Sequence, residues 1–427
     1  MYLSLDKHSF VRSVSETPIR SKGMRIIQTD KFDASVLGQK IVFDEKPDLS
    51  NLRLAIICNW GDQCGIATYT KLLVDAIRPK VGEIKIFAEH VDGLGDEEGV
   101  VRCWRRGRSM NATIEAIKEW GADIVHIQHE FGIFPKATHM LKMLEKLEEI
   151  PYVITTHAVY QHLDKTVCTS YIKNTIVHSD EARKVLEDLG HTNKSYVIHH
   201  GCVEYPDNSE LWNIFHNDHT IIQFGFGFGY KGVDQAIEAI KHIVETKDHL
   251  KDVFYCYLCS ENTHTRATHQ EYLNYLKDKI EAEQLDQNIV ILRGFQSEEV
   301  LGNFLRTAKL AIFPYKTDEN NVVYGASGAV RNAMANGIPV IASDSHLFDD
   351  LEGVVPRVHT ATDLADEISK VFENDDYRMS LKAKNLQFVK DNNWEMTAEK
   401  HIDVYSDILG DFESGIVRLT DEYQFLD

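Results

Sequence analysis

Short apolar runs alternate with segments of helical spacing along most of the chain. The first series predicts strands at 54–58, 83–87, 123–127, 152–155, 174–177 and 196–198, with helices at 66–77, 110–120, 137–147 and 180–189. The second series predicts strands at 220–224, 253–258, 289–292, 310–313 and 338–342, with helices at 233–244, 269–283 and 297–307. Two or three helices close the chain, the last beginning at Trp394. Such alternation predicts an α/β fold of parallel sheets with helices on both faces.

The alternation is interrupted by polar residues at 201–217, which we interpret as a domain boundary. We expect a Rossmann-like domain with an N-terminal extension at 1–205 and a second Rossmann-like domain at 206–392. The segment 393–427 is then a final helix and tail. A chain of 427 residues exceeds what one core usually supports, which agrees with two domains facing a cleft.

Composition limits the classes of function. Apolar residues make up 43% and charged residues 26% of the chain, as in ordinary globular proteins. No apolar run is long enough for a membrane span and the first residues do not resemble a signal peptide, so we expect a cytoplasmic protein. The net charge of −20 disfavours nucleic acid as a general partner.

One basic cluster stands out against that charge. Arg102, Arg105, Arg106 and Arg108 surround Trp104. The cluster is either a solvated loop or a docking site for an anionic acceptor such as a phospholipid head group, a sugar phosphate or a nucleic acid. We take Arg105 and Arg106 as acceptor-binding candidates.

The cysteines indicate neither disulfides nor a metal site. There are seven, an odd number, which favours free thiols. Cys256 and Cys259 are spaced as C-x-x-C but lie within a predicted buried strand, and no second such pair completes a zinc site. We therefore expect no metal and no bound cofactor.

The segment 320–344 is the most informative part of the sequence. A small turn with Gly325, Ser327 and Gly328 opens a helix that ends at Gly337, and a short apolar strand follows. Amide groups at a helix start point at whatever lies in front of them, and the helix dipole favours an anion there. The turn 325–329 is thus a predicted phosphate cradle.

A second glycine-rich loop, 225–232, also follows a strand and precedes a helix. Gly227 lets the backbone approach a bound group, and Lys231 supplies positive charge beside a diphosphate. The loop is not a P-loop, because Gly232 rather than Ser or Thr follows the lysine. It is not a dinucleotide fingerprint either, because Tyr230 occupies the third glycine position.

The run Ala-Met-Ala-Asn-Gly-Ile-Pro-Val at 333–340 resembles the signature of the retaining glycosyltransferases of family 4, which have the two-Rossmann-domain GT-B fold. The Ser-Gly turn is similar to that of a bacterial mannosyltransferase-like subgroup. Tyr324 and Asn332 stand where most of the family has glutamates, and Phe226 stands where many members have an arginine. Arg331 or Arg293 could replace that missing cation. These departures bear on the identity of the donor.

The resemblance implies roles for further residues. Gly65, in a Gly-Ile-Ala-x-Tyr segment, faces the donor across the cleft, and His157 at a strand end orients the reacting sugar. His129 and Glu130 are acceptor-site candidates, while Tyr315 borders the nucleotide. The resemblance assigns the remaining donor contacts to Gly227, Lys231, Arg293, Phe295, Tyr324, Gly325, Ala326, Ser327, Gly328, Ala329 and Asn332.

We therefore expect a metal-independent, retaining glycosyltransferase that moves a sugar from a nucleoside-diphosphate sugar to a hydroxyl. His157 and Lys231 are the catalytic candidates. The acceptor is a glycan, a lipid-linked sugar or another hydroxyl compound. Three alternatives stay open: a nucleotide-sugar-binding protein without transferase activity, a sugar-nucleotide epimerase, and a glycosyltransferase acting on nucleic acid through the arginine cluster.

Overall fold

The computed structural model describes residues 19–21, 24–26, 48–161, 172–206, 217–260, 266–294, 296–318 and 322–413. Its strands are β1 (Ile19–Ser21), β2 (Met24–Ile26), β3 (Arg53–Cys58), β4 (Glu83–Glu89), β5 (Val100–Trp104), β6 (Ile124–His129), β7 (Tyr152–Thr156), β8 (Ala158–Tyr160), β9 (Asn174–Val177), β10 (Lys194–Val197), β11 (Thr220–Phe226), β12 (Phe254–Ser260), β13 (Ile289–Arg293), β14 (Leu310–Phe313), β15 (Val323–Gly325), β16 (Val340–Ser343) and β17 (Arg357–Val358). Its α-helices are α1 (Gly65–Ile77), α2 (Asn111–Trp120), α3 (Ala137–Lys146), α4 (Asp180–Asp188), α5 (Val233–Thr246), α6 (Arg266–Ala282), α7 (Glu298–Thr307), α8 (Gly328–Ala335), α9 (Ala361–Glu373), α10 (Asp375–Asp391) and α11 (Trp394–Glu413).

The first lobe is built on a seven-stranded parallel sheet in the order β10-β9-β7-β6-β3-β4-β5. Successive residues of a strand point to opposite faces, and both faces here are apolar. Ile56 packs into the core shared with α1 and α11, whereas Ile57 packs into the core shared with α2 and α3.

The second lobe repeats the plan with a six-stranded parallel sheet in the order β13-β12-β11-β14-β16-β17. Ile221 contributes to the core beneath α5, α6 and α9, and its neighbour Ile222 to the core beneath α7 and α8. In each lobe the carboxyl ends of the parallel strands form one edge, which is where ligands bind in open α/β sheets.

The two lobes are joined by more than the chain connection. β8 and β15 form an antiparallel ladder, in which Tyr324 pairs with Val159 and Gly325 with Ala158. The final helix α11 returns to the first lobe and packs against α1. The start of the signature turn is therefore fixed directly to the segment that follows β7.

The predicted fold class is confirmed: both lobes are parallel α/β layers. The predicted strands and helices are present with ends shifted by a few residues, and Trp394 begins α11 as expected. The interpretation of the arginine cluster as a loop holds for Arg105, Arg106 and Arg108 and needs correction for Arg102, which belongs to β5 with Trp104. The domain limits at 205 and 392 stay a prediction, and the two large sheets occupy 53–197 and 220–358. No helix among the described residues is long and apolar enough to cross a membrane.

Candidate active site

The loop between β11 and α5 places the Lys231 ammonium at the carboxyl edge of the second sheet. Gly232 has φ +68°, and a methyl group there would lie 1.6 Å from the carbonyl oxygen of Pro314, so only glycine fits. Lys231 Nζ donates to the Tyr315 hydroxyl over 2.7 Å and lies 3.9 Å from the centroid of that ring. The Tyr230 ring lies 4.9 Å from the same ammonium, which is thus positioned by two tyrosines.

Tyr315 connects this loop to the signature turn. The side chain is 2% exposed, and burial raises the pKa of its hydroxyl, which stays neutral. Its oxygen lies 3.0 Å from Ser327 Oγ. Lys231, Tyr315 and Ser327 therefore form one continuous hydrogen-bonded line. The two segments that the sequence predicted to hold phosphate are adjacent in the fold.

The signature turn ends in an uncapped helix start. Ser327 is the N-cap of α8, but its side chain makes no capping bond to the first turn of the helix. Ala326, Gly328 and Ala329 are partly exposed beside it. Because helix N-termini leave amide donors without intrahelical partners, this end of α8 can donate to an anion.

A buried ion pair lies behind the turn. Arg331 has no exposed surface; its Nη1 donates to the Ser327 carbonyl over 2.9 Å, and its Nη2 pairs with the Asp350 carboxylate. The guanidinium therefore supports the turn from the side of the core. It does not face the cleft, so it does not replace the arginine that many family members have at the position of Phe226. His199 of the first lobe lies 3.6 Å from the same carboxylate.

Tyr324 and Asn332, at the positions of the family's glutamates, have different surroundings. The Tyr324 hydroxyl accepts from the Gln161 amide over 2.9 Å, and its ring stacks on His346 with 4.3 Å between centroids. Asn332 Nδ2 donates to the Tyr205 hydroxyl over 2.8 Å, near the connection between the lobes. Tyr324 thus spans both lobes.

His157 lies opposite the turn, at the carboxyl end of β7. Its Nε2 donates to Gln128 Oε1 over 2.8 Å, and its Nδ1 lies 3.3 Å from His178 Nε2. Burial, reinforced by the neighbouring histidines, lowers the pKa of His157 well below its usual value. Its carbonyl oxygen would lie 2.6 Å from a methyl group at Gly325, so this glycine lets the lobes approach each other.

Sequence reasoning missed the rings that surround His157. Tyr69 of α1 contacts His157, His178, His200 and Trp394 with ring centroids 4.7–5.4 Å apart. Tyr69 is buried, and its hydroxyl has no partner among the described residues. His178 could have been found, because it follows β9 directly and carboxyl strand ends line the cleft.

The predicted acceptor residues His129 and Glu130 follow the same edge. His129 is 1% exposed and stacks on Phe134 with 5.5 Å between centroids, and burial lowers its pKa to about 4. Its carbonyl accepts from the His157 amide over 3.0 Å. Glu130 Oε2 accepts from the Gly132 amide over 2.6 Å, which indicates that this carboxylate stabilises a turn.

The two arginines assigned to the acceptor differ in the structure. Arg106 Nε donates to the Glu89 carboxylate over 2.9 Å, and its Nη2 reaches Asp62 at 3.3 Å. Arg105 is more than half exposed, and its nearest acid is the fully exposed Asp92 at 3.9 Å. Of the two, only Arg105 keeps a charge without a buried counterion.

The remaining predicted donor contacts are distributed over both lobes. Gly65 begins α1 and has open space where a side chain would extend. Gly227 has no such space, since a methyl group there would lie 3.0 Å from Cys259 Sγ. Arg293 ends β13 and donates to Gln270 Oε1 over 2.9 Å. Phe295 lies outside the described residues.

Comparison with known families agrees with this architecture. The model of the family "Glycosyltransferase Family 4" matches residues 64–203, and the model "Glycosyl transferases group 1" matches residues 205–407. The two matches adjoin and together extend over both lobes. The chain belongs to the group 1 glycosyltransferases.

Individual relatives are distant. A D-inositol 3-phosphate glycosyltransferase of a Nocardioides species is 32% identical over 114 residues, which is 26% of this chain and 24% of that enzyme. Solved structures with the same fold include the sucrose-phosphate synthase of Thermosynechococcus elongatus, with a TM-score of 0.65 and 15% identity over 84% of this chain and 99% of that one. An α,α-trehalose-phosphate synthase of Burkholderia xenovorans has a TM-score of 0.66 and 11% identity over 83% and 99% of the two chains.

Proposed function

We propose that this glycosyltransferase moves a sugar from a nucleoside-diphosphate sugar to an acceptor hydroxyl, with retention of the anomeric configuration. The observation that carries the proposal is the line Lys231–Tyr315–Ser327 beside the start of α8. One ammonium, two hydroxyls and the first amides of α8 lie together there on the second lobe. On the first lobe, the His157 carbonyl lies beside Gly325 at the start of the same turn.

The chemical argument concerns the leaving group. When the bond between sugar and diphosphate breaks, negative charge grows on the diphosphate oxygens. Preorganised donors aimed at that charge lower the barrier, because they need no rearrangement during the step. Lys231 and the first amides of α8 supply such donors. We propose that they make a divalent metal unnecessary, which predicts full activity in the presence of a chelator.

His157 is suited to positioning rather than proton transfer. Its Nε2 and Nδ1 face Gln128 and His178, and its pKa is lowered, so the ring is neutral near pH 7. A neutral imidazole whose nitrogens face protein partners is not free to accept a proton from the acceptor. Its carbonyl and ring instead form the wall against which the sugar lies.

The donor sugar is expected to differ from that of relatives with two glutamates. Tyr324 is neutral and its hydroxyl is bonded to Gln161, while Asn332 offers an amide in place of a carboxylate. Both can hydrogen-bond a sugar or ribose hydroxyl, though without charge. We infer that nucleotide-sugar binding persists with altered donor choice, as in the mannosyltransferase-like subgroup that the turn resembles.

The test begins with a thermal-shift screen of nucleotide sugars, since a specific ligand stabilises the native state. With the donor found, we expect Lys231→Ala and His157→Ala each to reduce turnover greatly without unfolding the protein. Lys277→Ala, on the exposed side of α6, is the matched control for removal of a lysine. Wild-type rates in both site variants would refute the assignment. NMR of the product reports whether the configuration is retained.

A further inference from the structure

A cationic pocket lies in the first lobe, between the end of β5 and the start of α3. Trp104 and Phe134 form its floor, with the two rings stacked at 5.3 Å between centroids. Its rim carries Arg105, Arg108, Lys136 and His139. In a chain with a net charge of −20, this local excess of positive charge is unusual.

The neighbouring acids do not neutralise the rim, because they hold other arginines. Glu89 and Asp62 pair with Arg106, as described above. Arg102 is likewise engaged, since its Nη1 donates to the carbonyls of Trp60 at 3.1 Å and Glu89 at 3.0 Å. Arg106 therefore belongs to the pocket wall with its charge already paired, and Arg102 lies outside the lining.

The rim cations have little compensation. Arg108 and Lys136 have neither an ion pair nor a hydrogen bond with any described side chain. Among the residues that the structure describes, Arg105 pairs only with the fully exposed Asp92, at 3.9 Å. Exposed pairs of this length contribute little, so the charge of Arg105 remains available to a ligand.

The start of α3 adds positive electrostatic potential to the same pocket. Lys136 is its N-cap, makes no capping bond, and is followed by no acidic residue in the first turn. A lysine is electrostatically unfavourable at the positive end of a helix dipole unless an anion is present. His139, one turn into α3, also lines the pocket, and its buried Nδ1 has no partner among the described residues.

We propose that this pocket binds the phosphoryl group of a phosphorylated acceptor, which rests on the proposed function. Packed rings connect the pocket to the cleft: Phe134 lies between the pocket floor and His129, whose carbonyl accepts from the His157 amide. An acceptor anchored here by its phosphate would reach toward the cleft with its hydroxyl end. A compact phosphoryl group suits one shallow basic pocket on an otherwise acidic protein, whereas a long polyanion would meet repulsion elsewhere.

The test measures binding of inorganic phosphate by calorimetry in the Lys231→Ala background, so that the donor cradle contributes no cation. Arg108→Gln combined with Lys136→Gln is expected to weaken binding by roughly tenfold or more, since two charge-assisted contacts are lost. Lys277→Gln, which removes one charge on α6, is expected to change nothing. Equal phosphate affinity of the double variant and its parent would overturn the proposal, as would a phosphate-soaked crystal with the anion elsewhere.

Two further probes identify the source of the phosphoryl group. Glycerol 3-phosphate represents soluble phosphate esters, and phosphatidylcholine vesicles with and without phosphatidylglycerol represent lipid head groups. Binding of glycerol 3-phosphate that the double variant loses, without vesicle binding, supports a soluble acceptor. Co-sedimentation with the anionic vesicles that the double variant loses supports a lipid acceptor. If the protein binds neither probe, the phosphate-pocket proposal is contradicted. The proposed function is not affected by that result, because the Lys231 and His157 assays test it separately.

Discussion

Removal of the Tyr315 hydroxyl is the most selective test of the donor site at Lys231 and Ser327, because it leaves the charge of Lys231 in place. Tyr315→Phe deletes the atom that lies 2.7 Å from Lys231 Nζ and 3.0 Å from Ser327 Oγ. Without it, the lysine keeps only its contacts with aromatic rings, so the ligand must supply most of the ordering of the side chain. Ordering a lysine costs about 1.5–2 kcal/mol, which corresponds to roughly 10- to 30-fold in affinity.

The assay is calorimetric titration with the nucleoside diphosphate of the donor. We expect Tyr315→Phe to bind it roughly 10- to 30-fold more weakly than wild type. Urea unfolding should also show a loss of about 1–3 kcal/mol, because a buried Ser327 hydroxyl loses its partner. Tyr377→Phe, which removes a hydroxyl bonded to Glu367 between α9 and α10, is the matched control. Unchanged affinity of Tyr315→Phe for the nucleoside diphosphate would refute the reasoning. An equal loss of affinity in Tyr377→Phe would refute it too.

Three other changes have defined outcomes. Gln128→Leu removes the acceptor of the His157 Nε2–H, so kcat should fall in steady-state kinetics while KM for the donor stays the same; an unchanged kcat would contradict the positioning role. Asp350→Asn leaves the Arg331 guanidinium buried without a counterion, so urea unfolding should show a loss of about 3–5 kcal/mol, and a loss within error would be inconsistent with the burial. Burial lowers the pKa of His129, His178 and His401 to about 4, whereas unfolded histidines titrate near 6.5. Above pH ~6.5 these histidines are neutral in both the folded and the unfolded protein. As the pH falls from ~6.5 to ~4, the free energy of unfolding should decrease by about 1.4 kcal/mol per pH unit for each histidine. A flat profile of unfolding free energy in this range would contradict their burial.

The layered architecture could be predicted because its signal is local. Apolar runs such as 54–58 and the glycine stop at Gly337 depend only on neighbouring residues, and the structure has β3 and α8 there. The prediction of the two donor segments depends on the same kind of local signal, since a glycine turn before a helix has a direct physical meaning.

The contacts between the lobes could not be predicted. β8 and β15 are three residues each, too short for a periodic signal, and their pairing joins residues more than 160 positions apart. The Arg331–Asp350 pair and the contact between Tyr69 and Trp394 likewise depend on tertiary packing. The arginine cluster shows the same limit, because sequence alone could not separate Arg106, paired with buried acids, from the exposed Arg105.

The position of the donor diphosphate is the point on which the proposed mechanism depends. A crystal structure with the bound nucleotide sugar measures it directly. We expect the β-phosphate within hydrogen-bonding distance of Lys231 Nζ and of the amides that follow Ser327, with the sugar facing His157. A diphosphate bound away from the start of α8, or one that leaves Lys231 bonded only to Tyr315, would contradict the mechanism.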